Sequence, residues 1–184
     1  MVGTAQRAPL PTLRFLSSGA RSRPVGDDPM SADVTIRIQE ADFDIAREIA
    51  GLTKGRTDIG AVVSFSGICR GSESGERIAA LTLEHYPGMA EAEIARHAAA
   101  AMARWPLTGL SVIHRVGRIT PGENIVLVLT ASQHRQAAFQ AAEFLMDYLK
   151  ANAPFWKREE SADGTGWVEA RAHDDAAAAR WTKS

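Results

Sequence analysis

The chain has 184 residues, 45% of them hydrophobic, and a formal net charge of −1. That length and apolar content describe one globular domain with a real core, and the near-zero charge gives no electrostatic case for nucleic acid or a membrane surface. A single cysteine, Cys69, excludes an intrachain disulfide, a zinc ribbon and an iron–sulfur cluster, and fits a reducing, cytoplasmic compartment. No cofactor or metal is expected: no two histidines stand three to five residues apart, and neither GxGxxG nor a P-loop is present.

Residues 1–30 differ from the rest. Four arginines against two aspartates give this segment +2, leaving −3 for residues 31–184. An Arg- and Ser-rich, acid-poor start has the composition of an organellar transit peptide. Pro9, Pro11, Pro24 and Pro29 break any amphipathic helix, so the segment is expected to be a disordered extension, with Met30 as the natural start of a single domain over 31–184.

Within that domain, residues 34–38 alternate as a strand, and residues 42–50 have helical spacing with Asp42 as N-cap. Residues 59–67 read as a buried strand ending at a glycine, 71–77 as a polar loop and 78–86 as a strand, with a turn at Pro87 and Gly88. An alanine-rich helix over 90–104 closes at Trp105 and Pro106. Strands follow over 110–116 and 124–131, separated by a Pro121-Gly122 turn. Ser132 caps a helix over 134–150, whose Ala138, Ala141, Ala142, Leu145, Met146 and Leu149 form a buried stripe. A short strand over 155–158, a hairpin turn over 163–166, a return strand over 167–170 and a short helix over 174–181 complete the chain. Hairpin turns mixed with a helical crossover predict an α+β fold with a mixed, largely antiparallel sheet and packed helices.

Cations gather at element ends. Lys150 and Lys157 stand either side of a Pro-Phe-Trp corner, where one lysine approaches a reacting carbonyl and the other lowers its pKa. Arg70 follows the strand end, and His134 and Arg135 begin a helix, against the preference of the helix dipole. Together these residues suit an anionic, phosphate-bearing ligand. Cys69 reads as a small strand-end hydrophobe, and His114 and Arg115, on opposite faces of one strand, as structural.

The blocks LTLEHYPGM (81–89), VIHRVG (112–117), ASQHR (131–135), MDYLKANAPFWKRE (146–159) and WVEAR (167–171) strongly resemble the large, catalytic subunit of molybdopterin synthase, over roughly residues 34–181. The resemblance implies that family's fold and its sulfur transfer, which converts cyclic pyranopterin monophosphate to molybdopterin. The sulfur arrives as a C-terminal thiocarboxylate on a small ubiquitin-like partner subunit. It also implies a homodimer of large subunits forming a heterotetramer, with Lys150 and Lys157 catalytic. The substrate contacts fall at Ile68, Cys69, Arg70, His134, Arg135, Arg158 and Glu159, and at Arg171. A chain with one cysteine and no metal motif needs sulfur from outside, which agrees with such a partner. Phe65, Met146 and Phe155 are candidates for an apolar slot around the partner's tail.

A helix from His134 to Lys150 is about 24 Å long, too far for both ends to grip one small substrate. Either that helix is broken, or the pocket joins Lys150 of one subunit to His134 and Arg135 of another; the second arrangement is expected. The competing reading is a non-catalytic docking module for ubiquitin-like tails, which has no need of Arg70 or of the His134 and Arg135 pair.

Overall fold

The computed structural model describes residues 14–15, 32–73, 75–151, 154–161, 164–168 and 180–183. Ten strands and three α-helices run through them in the order β1 (Arg14–Phe15), β2 (Asp33–Gln39), α1 (Ile45–Thr53), β3 (Ala61–Ile68), β4 (Ser72–Glu73), β5 (Glu76–His85), α2 (Met89–Arg104), β6 (Leu107–Arg115), β7 (Gly117–Ile119), β8 (Asn124–Ser132), α3 (Arg135–Ala151), β9 (Phe155–Ser161) and β10 (Gly164–Val168), with a 3-10 turn at Arg180–Lys183.

The strands make two sheets. The first has the order β1-β2-β6-β8-β3, with β1, β2 and β6 parallel and the β6, β8 and β3 pairings antiparallel. The second has the order β10-β9-β5-β4, with β7 also on β5, and is antiparallel throughout. This is the α+β, largely antiparallel architecture that the mixed connections predict, divided between two sheets.

Period-two alternation builds the first sheet's core. Val126 and Val128 of β8 face Ile94, Ala98, Ala141, Phe144 and Leu145 of α2 and α3. Leu127 and Leu129 point the other way, onto Leu52 of α1 and Phe43 just before that helix. The small residues of α3 let it lie close: Ala138 is fully buried and its carbonyl accepts from Thr130 Oγ at 2.8 Å.

Several boundaries differ from the sequence reading. The first helix begins at Ile45 and is capped by Asp44, whose carboxylate accepts from Arg47 N–H. Asp42 instead accepts from Phe43 N–H at 2.8 Å and from Asn124 Nδ2 at 2.9 Å, a contact across the fold. The stretch read as a polar loop holds β4 and the start of β5, turned through Gly75 at φ 92°. Gly164, Thr165 and Gly166 pair with β9 as strand residues. Arg14 and Phe15, in the segment expected to be a disordered extension, pair in parallel with Thr35 and Ile36. The remainder of residues 1–30, Glu169, Ala170 and most of the expected helix over 174–181 lie outside the described residues.

The two sheets meet at an aromatic stack. His114 of β6 lies on Phe155 of β9, with ring centroids 3.9 Å apart and planes 13° from parallel. Its Nδ1 donates to the Arg115 carbonyl at 2.8 Å. Burial is the main reason the imidazole pKa falls to about 4, with the Arg115 carbonyl opposing and His85 adding to the fall. His114 is therefore neutral in the fold at pH 7. Unfolding releases it to its ordinary value near 6.5, so between pH 6.5 and 4 the unfolded chain binds a proton that the fold refuses. Stability present above that window is lost on acidification through it, by about 3 kcal/mol for this group. Urea unfolding at pH 7.5 and 4.5 should show a smaller acid loss in His114→Gln than in wild type; equal losses would remove His114 as a main source.

Candidate functional site

The strand β3 ends in a distortion. Its register on β8 shifts between Gly67 and Ile68, a bulge that re-aims the residues beyond it. A Cβ on Gly67 would lie 2.7 Å from Val126 Cγ1, so a glycine permits the close approach. Ile68 is then 53% exposed. Cys69 turns inward: it is 4% exposed, packs with Leu81, Leu83 and Ile119, and bonds Glu123 and Gly122 through its own N–H and carbonyl. Arg70 turns outward and pairs with Glu73.

The strand β9 approaches the same place. Its pairing on β5 puts Lys157 opposite Leu83 and Glu159 opposite Leu81, on the face that covers Cys69. Lys157 Nζ lies 2.5 Å from Glu159 Oε1. Burial pushes the Cys69 thiol pKa up; Lys157 and Arg70 pull it down, and Glu123 and Glu159 add to the rise. All four charges are thus near this sulfur. Arg158 alternates to the opposite face, opposite Thr82, where Arg118 and Glu160 form their own ion pair. The three consecutive residues expected to share one ligand are divided between two faces of a strand.

Lys150 stands in the last turn of α3, exposed and without an ion pair among the described residues. One turn earlier, Asp147 Oδ2 accepts from Arg180 Nη2 at 2.6 Å and from Trp181 Nε1 at 2.6 Å, which ties the C-terminal turn to this end of the helix. Because α3 runs antiparallel to β8 and parallel to β3, Lys150 lies at the same end of the first sheet as Ile68, Cys69 and Arg70.

His134 and Arg135 are exposed at the other end of α3. There the Gly60 N–H bonds the Ser132 carbonyl, and a Cβ on Gly60 would lie 2.3 Å from the Gln133 carbonyl oxygen. The helix between the two cation groups is continuous over 17 residues, so it is not broken. One copy therefore gathers Arg70, Lys150, Lys157 and Glu159 at one end and leaves His134 and Arg135 at the other. Arg171 lies outside the described residues.

Of the three slot candidates, Met146 and Phe155 are half-buried against the main core, and Phe65 is 38% exposed. Sequence reasoning passed over Glu73, the partner of Arg70; its signal was an acid three residues after the arginine. An inward thiol with a raised pKa is a poor nucleophile. Iodoacetamide should alkylate Cys69 at pH 8 at least about tenfold more slowly in the native protein than in denaturant; equal rates would show that the thiol reaches solvent.

The chain matches the family model described as MoaE protein over residues 38–152. It is 66% identical over 152 residues to the molybdopterin synthase catalytic subunit of Mesorhizobium japonicum, covering 82% of this chain and 94% of that one. Among solved structures it resembles the molybdopterin biosynthesis MoaE protein of Burkholderia ambifaria, with TM-score 0.70 and 48% identity, over 82% of this chain and 99% of that one. A more distant likeness of fold, with TM-score 0.59 and 21% identity over 75% of this chain and 91% of that one, is to a complex of subunits 1 and 2 of molybdopterin-converting factor from Helicobacter pylori. No helix among the described residues is long and apolar enough to cross a membrane. With a family-model match over most of its length and relatives of this identity, the chain belongs to the MoaE family.

Proposed function

We propose that this chain is the catalytic subunit of a molybdopterin synthase, acting in the cytoplasm on cyclic pyranopterin monophosphate. Its sulfur donor is the C-terminal thiocarboxylate of a small ubiquitin-like partner subunit. The observation that carries this reading is that Arg70 and Lys157 both stand near Cys69, at the end of the first sheet toward which α3 carries Lys150, in a chain whose relatives bear that enzyme's name. The complex formed by the Helicobacter pylori relative supports a second, separate subunit. The complete enzyme is a dimer of this chain with one small subunit on each copy.

Arg70 is 67% exposed and bound at its tip by Glu73, and Lys157 is 33% exposed. Glu73 is only 14% exposed, so the guanidinium of Arg70 keeps its outer edge toward solvent, where a phosphate engages it, whereas Lys157 and Glu159, at 33% and 17%, form a partly buried pair. Arg70 holds the cyclic phosphate, with His134 and Arg135 supplied by the second copy. The thiocarboxylate sulfur attacks a substrate carbon that carries an oxygen of the cyclic phosphate: the carbon–sulfur bond forms as that carbon–oxygen bond breaks, the phosphate ring opens to a monoester that stays on the substrate, and the partner's acyl group stays on the sulfur as a thioester. Lys150 donates a hydrogen bond to the thioester carbonyl as water adds. The acyl–sulfur bond breaks, the partner leaves as a carboxylate, and the sulfur remains on the substrate. A second thiocarboxylate adds to the neighbouring oxygen-bearing carbon, whose oxygen leaves as water, and hydrolysis of that second thioester by another water completes the dithiolene. Lys157, held by Glu159, keeps positive charge beside the site while Lys150 exchanges protons.

Reconstitution with a thiocarboxylated partner and the cyclic pterin should yield dithiolene product. Lys150→Ala should lower turnover at least about a thousandfold, the scale of losing an oxyanion donor, while partner affinity stays within about threefold. Partner binding without product in the wild-type mixture would favour the docking-module reading. Near-normal turnover in Lys150→Ala would remove this lysine from the chemistry.

A further inference from the structure

Among the described residues, Arg115 at the end of β6 is the one buried arginine or lysine, 6% exposed. A guanidinium removed from water has to find acceptors for its N–H groups. Arg115 finds two main-chain carbonyls from separate segments: Nε donates to Glu40 at 3.0 Å and Nη1 to Asn124 at 3.0 Å. Two half-exposed carboxylates balance its charge, Asp42 Oδ1 at 3.9 Å and Glu123 Oε1 at 4.0 Å from Nη1. Alternation along β6 gives no reason for a cation at this place; its partners do.

Those partners lead to the end of the first sheet that holds Arg70. The ladder between β3 and β8 is irregular at Gly67 and Ile68, where Ile68 comes opposite Asn124. There β3 ends, and the turn at 121–123 holds the next residue instead. Cys69 N–H donates to the Glu123 carbonyl at 2.9 Å, and the Cys69 carbonyl accepts from Gly122 N–H at 2.8 Å. Gly122 has φ 91°, a conformation that glycine adopts without strain. The turn is itself tied down. The Glu123 carboxylate accepts from Thr120 N–H at 2.5 Å and from Thr120 Oγ1 at 3.1 Å. Both main-chain groups of Cys69 are thus fixed, and Arg70 departs from that point. With its side chain 67% exposed, Arg70 has little packing of its own, so its direction depends on the main chain beneath it.

We propose that Arg115 is a positioning residue for Arg70: by holding residues 40 and 124 together it sets the 121–123 turn, and through Cys69 it aims Arg70 at the substrate's phosphate. The proposal deepens the functional reading above, on which the phosphate role of Arg70 rests. An arginine suits the task because two nitrogens of one rigid fork reach two carbonyls at once, whereas a lysine presents a single nitrogen on a flexible stem.

Arg115→Lys in the full-length chain tests this in two ways. Amide hydrogen exchange, read by NMR, should quicken at least about tenfold at Cys69 and Gly122, while Val128 in the middle of β8 stays within about twofold. In the enzyme assembled with the thiocarboxylated partner, KM for the cyclic pterin should rise about tenfold, the scale of one misplaced charged hydrogen bond, with kcat within about threefold. In an Arg70→Ala background the same substitution should weaken equilibrium binding of the cyclic pterin by less than about twofold. Glu123→Ala loosens the turn from its exposed side; it should move exchange and KM in the same direction, and it carries the test if Arg115→Lys fails to fold. Unchanged exchange at Cys69 and Gly122 overturns the clamp. A fall in kcat at constant KM, or a binding loss that adds fully to that of Arg70→Ala, overturns the link to Arg70. A wild-type enzyme that binds its partner and makes no product would overturn the functional reading instead, and the exchange result alone would then decide the clamp.

Discussion

The length of one helix governs the arrangement of this protein. The helix α3 runs unbroken from Arg135 to Ala151 with neither glycine nor proline inside it. At 1.5 Å per residue a rod of that length cannot bring its two ends to one small molecule. His134 and Arg135 start the rod and Lys150 ends it, so a pocket needing all three draws on more than one copy of the chain. The rod is fixed in place by packing: Ala138 and Ala141 are fully buried, Phe144 and Leu145 nearly so, and α2 lies alongside.

The second sheet supplies what the helix cannot. The stack of His114 on Phe155 fixes the start of β9 against the first sheet. Alternation along β9 then carries Lys157 and Glu159 over the buried Cys69, close to Arg70. Cys69 is best understood as a spacer: its inward side chain joins Leu81, Leu83 and Ile119, and its main chain anchors the 121–123 turn, which leaves Ile68 and Arg70 on the outside. The cations that remain are held by acids close by in sequence, Glu73 for Arg70 and Glu159 for Lys157. Such pairs hold the charges in position at this end of the first sheet.

Much of this was legible in the sequence. Alternation marked β2 and β6, a continuous apolar run marked β8, alanine-rich stretches marked α2 and α3, and the cations at element ends were visible as a set. The misses share a cause. Asp42 and Asp44 are equally good caps by type; the choice was settled by Asn124, which takes the Asp42 carboxylate from 82 residues away. The division into two sheets depends on which strands pair, and local pattern does not encode that. The separation of Arg158 from Lys157 and Glu159 follows from alternation once β9 extends through them. Convergence was the least legible property: strand pairing and the run of α3, neither encoded in local pattern, set Arg70 and Lys150 at one end of the first sheet and His134 and Arg135 at the other.

The most direct test of this account mixes two inactive subunits, Lys150→Ala and Arg135→Ala, under conditions that allow exchange, and measures dithiolene formation with the thiocarboxylated partner. Random reassociation makes half of the dimers mixed, and each mixed dimer has one site with both residues intact, so about a quarter of wild-type activity should return. If the mixture stays as inactive as either variant alone although exchange is complete, each site is built within one copy and the account is wrong.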